Sequence, residues 1–312
     1  NLYPGAEGPS MTLLQKIQRA ISISRPVFWL GPPLFYRVGL FIAGIPVGPL
    51  EAFEMLLLSF PFSFIIYGLN DLYDIEVDSR NPRKGGIWGA KLLKEDIPWV
   101  KSLIVFFSLL LLLTAFLSFN PVHFGFSFLM LAVPYIYSAP PFCFKSRPFW
   151  DSFLSGGYGV GPFLYGYSLS EGLLLNLEIF LFSSVFSGIH GIATIMDYEY
   201  DKKNGINTFA VGLGPRAPAF LMWGICCVNF LFLWKYSIMI AGGLVFCGLL
   251  SAWLFLFPKP ENAKLVFKLL FLYVFAWGAY FFTKYVILGI HDFSEMEFQT
   301  LLPEILKHVR GS

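Results

Sequence analysis

The chain has 312 residues, of which 56% are hydrophobic and 13% charged, and its net charge is +2. A soluble domain carries about 25% charged residues, so an ordinary soluble protein is excluded and a polytopic membrane protein is expected. The near-neutral balance gives no case for nucleic acid, and four cysteines without metal-ligand spacing (Cys143, Cys226, Cys227, Cys247) indicate buried thiols rather than a disulfide framework.

Residues 1–10, NLYPGAEGPS, differ in character from the stretch that Met11 opens and read as an expression-vector remnant. Residues 11–26 suit an amphipathic lead-in helix with Lys16 and Arg19 on its polar face. At about 20 residues per crossing, roughly nine spanning helices are expected. They cover residues 27–46, 50–70, 97–118, 122–138, 150–168, 173–196, 217–236, 238–257 and 265–289. The fold class is therefore all-α, with one transmembrane domain over 27–289 and an amphipathic tail over 290–312. Arg37 lies inside the first span and must pair or snorkel. The 36 phenylalanines serve as lipid-facing and packing bulk or as aromatic pocket walls.

The connections alternate in length and charge. Arg80, Arg83, Lys84, Lys91 and Lys94 follow the second span. Lys145 and Arg147 follow the fourth, Lys202, Lys203 and Arg216 the sixth, and Lys259 and Lys264 the eighth. The positive-inside rule makes these loops cytoplasmic, although Lys307 and Arg310 in the tail run against it.

Two acidic clusters stand at the cytoplasmic ends of the second and sixth spans. One reads Asn70-Asp71-Leu72-Tyr73-Asp74-Ile75-Glu76-Val77-Asp78, the other Asp197-Tyr198-Glu199-Tyr200-Asp201. Carboxylates at the end of an apolar span are expensive and so point to function. Residues four apart share a helix face, which puts Asn70, Asp74 and Asp78 on one stripe and Asp197 and Asp201 on another. Facing stripes of oxygen donors suit hard divalent cations, and these bind phosphates. Equivalent placement of Asp74 and Asp201 hints at two pseudo-repeated four-helix halves. A metal–phosphate mouth on a hydrophobic protein suggests an enzyme acting on a lipid diphosphate, whose leaving charge metals and basic groups neutralise.

Basic residues near the clusters are topology-setting charges or diphosphate contacts. The candidates are Arg25, Arg83, Lys84, Lys145, Arg147 and Lys202. Arg25, in Ser24-Arg25-Pro26, equally suits a simple helix start. Tyr137 and Ser138 stand beside Pro140-Pro141. Aromatic faces stabilise a carbocation without quenching it, and Tyr137 and Tyr198 are candidates for that work. His190, seven residues before Asp197, reads either as an acceptor-orienting base or as a buried histidine paired within the bundle.

The constellation resembles the UbiA family of intramembrane prenyltransferases. Residues 70–78 match its NDxxDxxxD motif. Asp197, Asp201, Gly205, Thr208 and Leu213-Gly214 match its second motif. Tyr137-Ser138, Pro140-Pro141 and Lys145 match a third, YSxPPxRxK, with Cys143 in place of the usual arginine. The resemblance implies nine helices around a central cavity under a polar cytoplasmic cap, with Mg²⁺, two ions per site, bound by Asn70, Asp71, Asp74, Asp78, Asp197 and Asp201. Asp71 would ligate metal or lie near the reacting acceptor. Tyr137, Ser138 and Lys145 would wall the diphosphate end. The expected partners are membrane lipids, a prenyl diphosphate and an apolar, commonly aromatic, acceptor; no protein partner is implied. The strings at 78–86 and 25–29 look most like the carotenoid-elongating branch, with a polyene such as lycopene as acceptor. An archaeal ether-lipid precursor is a further alternative. A cation-coupled transporter is the competing class, but it would place its acids near the midplane.

Overall fold

Proline sets many of the helix starts. It has no amide hydrogen to leave unsatisfied in a first turn, and its fixed φ suits a helix. The computed structural model describes residues 11–79, 90–170, 177–234 and 238–282. Residues 1–10, Arg80, Arg83, Lys84 and the tail over 290–312 lie outside the described residues.

Helix α1 (Leu13–Ser24) opens with a capping box between Thr12 and Gln15. A 3-10 turn (Pro26–Phe28) leads to α2 (Gly31–Ile42), followed by α3 (Pro49–Leu58), α4 (Phe60–Tyr73) and the short α5 (Ile75–Ser79). Then come α6 (Ile97–Leu117), α7 (Pro121–Ser138), α8 (Trp150–Ser155), α9 (Gly157–Tyr167) and α10 (Leu177–Met196). The last are α11 (Tyr198–Lys203), α12 (Phe209–Leu213), α13 (Arg216–Leu233), α14 (Ile238–Leu256) and α15 (Pro260–Phe282). Among the described residues all regular structure is helical.

Four stretches are long and apolar enough to cross a bilayer: Pro49–Tyr73, Lys94–Leu117, Pro121–Ser138 and Arg216–Leu233. Pro26–Ile42, Ser183–Met196 and Ile240–Leu256 are shorter apolar helices. Several expected spans are thus broken. The first is only 12 residues of α-helix, about 18 Å at 1.5 Å per residue. The second is interrupted at Ser59 (φ −77°, ψ −112°), and the fifth splits at Gly156 into α8 and α9. A hydropathy window averages across a one-residue break and does not register it.

The chain divides into two units, Asn1–Phe142 with Pro162–Glu171, and Cys143–Gly161 with Gly172–Ser312. The boundary falls inside α9, so the fifth expected span contributes to both. In the first unit the core joins Ile23, Tyr36, Leu40, Leu58, Phe64 and Leu111. Phe60 and Phe64 meet Phe107 edge-on, at 5.6 and 5.9 Å between ring centroids, so these phenylalanines are packing groups. Val105, Phe106, Leu109, Leu113 and Phe116 are exposed along α6, while Val100, Ile104, Leu111 and Ala115 are buried. An exposed apolar stripe of that length is favourable against lipid and costly in water. In the second unit the core joins Ile192, Ile195, Met222, Cys226, Leu254 and Val266.

Cys226 and Cys247 are buried, Cys143 is half-buried and Cys227 is exposed. The expectation of buried thiols fails at Cys227 because an apolar helix turns one face outward. Arg37 is half-buried, with its guanidinium carbon 5.9 Å from the Phe41 ring centroid.

Helix α1 also departs from its expected polarity. Arg19 is not on a solvated face: it bonds Asp96 at 2.9 Å and the Lys91 carbonyl at 2.7 Å. Asp96 itself is fully buried and also accepts the Leu93 N–H and the Trp99 indole N–H. The exposed residues of α1 include Leu13, Leu14, Ile17 and Ile21, an outward apolar stripe of the kind that lies in a membrane interface.

Candidate active site

The first acidic cluster is not one continuous helix. Helix α4 ends at Tyr73, and Asp74 (φ −110°, ψ 10°) is its C-terminal cap, with its N–H on the Asp71 carbonyl at 3.3 Å. Helix α5 starts at the next residue. The second cluster repeats this step: α10 ends at Met196, Asp197 (φ −98°, ψ 2°) stands alone, and α11 begins at Tyr198. Both aspartates occupy the sparsely populated bridge region of backbone space, where active-site residues recur. The four-residue bond survives each step, from the Asp78 N–H to the Asp74 carbonyl at 2.7 Å and from the Asp201 N–H to the Asp197 carbonyl at 2.8 Å. The spacing that suggested a stripe therefore holds locally. The backbone match is Asp74 with Asp197, and Asp78 with Asp201, rather than Asp74 with Asp201.

In the first unit Asp71 is 1% and Asp78 6% exposed, while Asn70 and Asp74 are half-buried. Arg25 reaches Asp71 Oδ1 at 3.2 Å, and its guanidinium carbon lies 4.2 Å from the Tyr67 ring centroid. Arg25 is thus more than a helix start. It holds a left-handed conformation (φ 52°) between α1 and the 3-10 turn, which a non-glycine residue adopts only at a cost. The Tyr73 hydroxyl lies beside that of Tyr135, so α4 and α7 end together. Tyr137 and Ser138 therefore lie at the acidic end of this unit. Among the described residues, Arg25 Nε and Ser138 Oγ are buried polar atoms without a hydrogen-bond partner.

In the second unit Asp201 is 8% exposed and Asp197 half-buried. Helix α11 ends in a Schellman motif. Gly205 takes φ 69°, the Ile206 N–H bonds the Asp201 carbonyl at 2.9 Å and the Gly205 N–H bonds the Lys202 carbonyl at 3.4 Å. Gly205 is required because a side chain strains this backbone, and Gly214, the C-cap of α12, also takes a positive φ (86°) that favours glycine. The turn folds the chain back so that the Thr208 hydroxyl donates to Asp201 Oδ2 at 3.1 Å. Gly205 and Thr208 of the second motif thus serve to place one carboxylate.

The remaining candidates are spread more widely. Tyr198 is half-buried and packs against the core of its unit, and Lys202 is exposed with Nζ 5.5 Å from the Tyr198 ring centroid. Lys145 is half-buried in a 3-10 turn (Phe144–Ser146), and exposed Arg147 covers the Phe144 ring at 4.9 Å. Cys143, where the resemblance expects arginine, is left-handed (φ 44°). His190 Nδ1 lies 3.3 Å from the Ser152 hydroxyl, which suits the reading of a histidine paired within its bundle. Arg83 and Lys84 fall outside the described residues.

A polar network in the first unit was missed by sequence reasoning. Glu54 is fully buried and accepts from the hydroxyls of Tyr36 and, at 2.6 Å, Tyr165. His123 Nε2 lies 3.0 Å from Glu54 Oε1, and its Nδ1 lies 2.9 Å from both the Tyr165 carbonyl and the Ser168 hydroxyl. A carboxylate and an imidazole inside apolar spans were the signal. Asp151 of α8 was missed as well: it is fully buried and accepts the N–H groups of Ser152 at 2.6 Å and Phe209 at 2.8 Å.

Among the described residues no three His, Cys, Asp or Glu side chains form a ready-made metal cage. Mg²⁺ does not require one, because it keeps several waters and takes one or two carboxylates plus substrate phosphates. Each unit offers an Asp pair with only oxygen donors, and in the first unit the buried donor atoms of Arg25 and Ser138 accompany it; these residue types fit such an ion and an anionic substrate.

Comparison with known proteins gives one consistent family. Residues 33–277 match the family model described as the UbiA prenyltransferase family. A lycopene elongase/hydratase from Haloarcula japonica is 32% identical over 216 residues, covering 66% of this chain and 69% of that protein. One from Corynebacterium glutamicum is 28% identical over 214 residues, covering 65% and 72%. Among solved structures, a UbiA homologue from Archaeoglobus fulgidus bound to DMAPP and Mg²⁺ superposes with a TM-score of 0.61 at 22% identity, covering 83% of this chain and 98% of that one.

Proposed function

Because the chain belongs to the UbiA prenyltransferase family and is a membrane-embedded prenyltransferase, we propose that it moves a prenyl group from an allylic diphosphate to a polyene of the lycopene type. The observation that carries the chemistry is the matched pair of kinked acidic segments, Asp74–Asp78 and Asp197–Asp201. Asn70, Asp71, Asp74 and Asp78 in one unit, and Asp197 and Asp201 in the other, supply oxygen ligands for Mg²⁺–diphosphate. When bound, Mg²⁺ neutralises the charge that develops on the leaving diphosphate.

The chain's own residues do the rest. Arg25, with one guanidinium nitrogen on Asp71 and Nε unused, donates to a diphosphate oxygen. The Ser138 hydroxyl has the same capacity, and the basic candidates Lys145, Arg83, Lys84, Arg147 and Lys202 would supply further positive charge to the diphosphate. The Tyr67 ring already stacks on the Arg25 cation, and such a face also suits an allylic cation. Two ions per site and a cytoplasmic mouth complete the reading; the cytoplasmic side rests on the charge of the loops.

The names of the relatives favour the polyene acceptor that the strings at 78–86 and 25–29 suggest over the commonly aromatic acceptor of the family at large. The test offers labelled dimethylallyl diphosphate and Mg²⁺ with lycopene or with a phenolic acid. Label is expected in a lycopene product heavier by one prenyl unit. Label on the phenolic acid and none on lycopene would overturn the acceptor assignment.

A further inference from the structure

The first turn of α12 is capped in an unusual way. Thr208 stands at its N-cap with extended backbone (φ −73°, ψ 173°). A threonine there ordinarily turns its oxygen onto an amide of its own helix, but Thr208 makes no such bond. Its hydroxyl donates instead to Asp201 Oδ2 at 3.1 Å. The first two amides of the helix are taken by side chains from outside it, and the second of them, Ala210, is one that a capping threonine would serve. The Phe209 N–H goes to Asp151 Oδ2 at 2.8 Å, across 58 positions, and the Ala210 N–H goes to Thr194 Oγ1 at 3.2 Å.

We infer that Asp151 is a positioning residue for the metal-ligating Asp201, acting through Phe209 and Thr208. Asp151 is fully buried. A buried carboxylate is a costly way to cap one helix turn, since a neutral hydroxyl does so without desolvating a charge. Its second oxygen is fixed by the Ser152 N–H at 2.6 Å, so the carboxylate is locked in orientation. With the first turn held from outside, Thr208 is left to aim Asp201. Thr208 holds one Asp201 side-chain oxygen and the Ile206 N–H its backbone carbonyl, which together fix the orientation of this carboxylate. Partners of this kind are worth about 10–100-fold in metal affinity when lost.

This inference rests on Asp201 being a metal–diphosphate ligand. The experiment measures Mn²⁺ binding to the full chain in detergent by electron paramagnetic resonance, with inorganic diphosphate present, alongside thermal stability. Asp151→Asn and Thr208→Val are each expected to weaken Mn²⁺ about tenfold. The double variant should bind no more weakly than the poorer single one, because both act on one carboxylate. Wild-type affinity in either single variant, or losses that multiply in the double, would overturn the inference. If Asp151→Asn does not fold, Thr208→Val alone decides in the same way. Asp201→Ala is the control. Wild-type Mn²⁺ affinity there would sink the metal role of Asp201 itself, whereas loss there with unchanged Asp151→Asn would sink only the positioning role.

Discussion

Asp74 and Asp197 each stand at a step between two helices, in nearly the same backbone conformation. Acid types and spacing were legible because a charge at the end of an apolar run is conspicuous. The steps were not, because a four-residue repeat reads equally well through an unbroken helix. Arg25 shows the same limit. Its position before Pro26 was visible, but its reach to Asp71, 46 residues away, depends on how α1 packs on α4. Arg25→Gln is expected to raise KM for the allylic diphosphate about tenfold, the loss of one charge-assisted bond, with a smaller change in kcat. Steady-state kinetics with dimethylallyl diphosphate checks this, and an unchanged KM would remove Arg25 from the diphosphate end.

At the scale of elements, the first unit is tied together by a buried polar network. Glu54 of α3 joins Tyr36 of α2, His123 of α7 and Tyr165 of α9. All four are fully buried. Glu54 lies in α3 and Asp71 in the last turn of α4, about 25 Å apart along the helical path at 1.5 Å per residue, which separates the network from the acidic end. Its role is to hold four helices in register. Glu54→Ala leaves two hydroxyls and an imidazole without their shared acceptor, at a cost of about 3–5 kcal/mol. Thermal melting in detergent should fall sharply, with unchanged Mn²⁺ affinity in the fraction that remains folded. A melting temperature like wild type would contradict the structural role. Charged positions inside the spans flagged such groups, but their partners, up to 111 residues apart, are set by packing and not by local pattern.

At the scale of the molecule, composition sufficed for an all-α membrane protein, since burying so much apolar surface against lipid needs only helices. Span lengths were less legible, because breaks such as Ser59 and Gly156 sit within uniformly apolar stretches. The division of the chain into two units gives each its own acidic segment, and the account requires both. The most direct test is transfer of label from dimethylallyl diphosphate to lycopene with Mg²⁺, comparing wild type, Asp74→Ala and Asp201→Ala as folded proteins in the same membrane mimic. Removing one group that stabilises transition-state charge costs about 10²–10³-fold. The account predicts at least that loss in each variant, one for each unit, with metal dependence in the wild type. Full turnover by either variant, or wild-type transfer that ignores Mg²⁺, would contradict it.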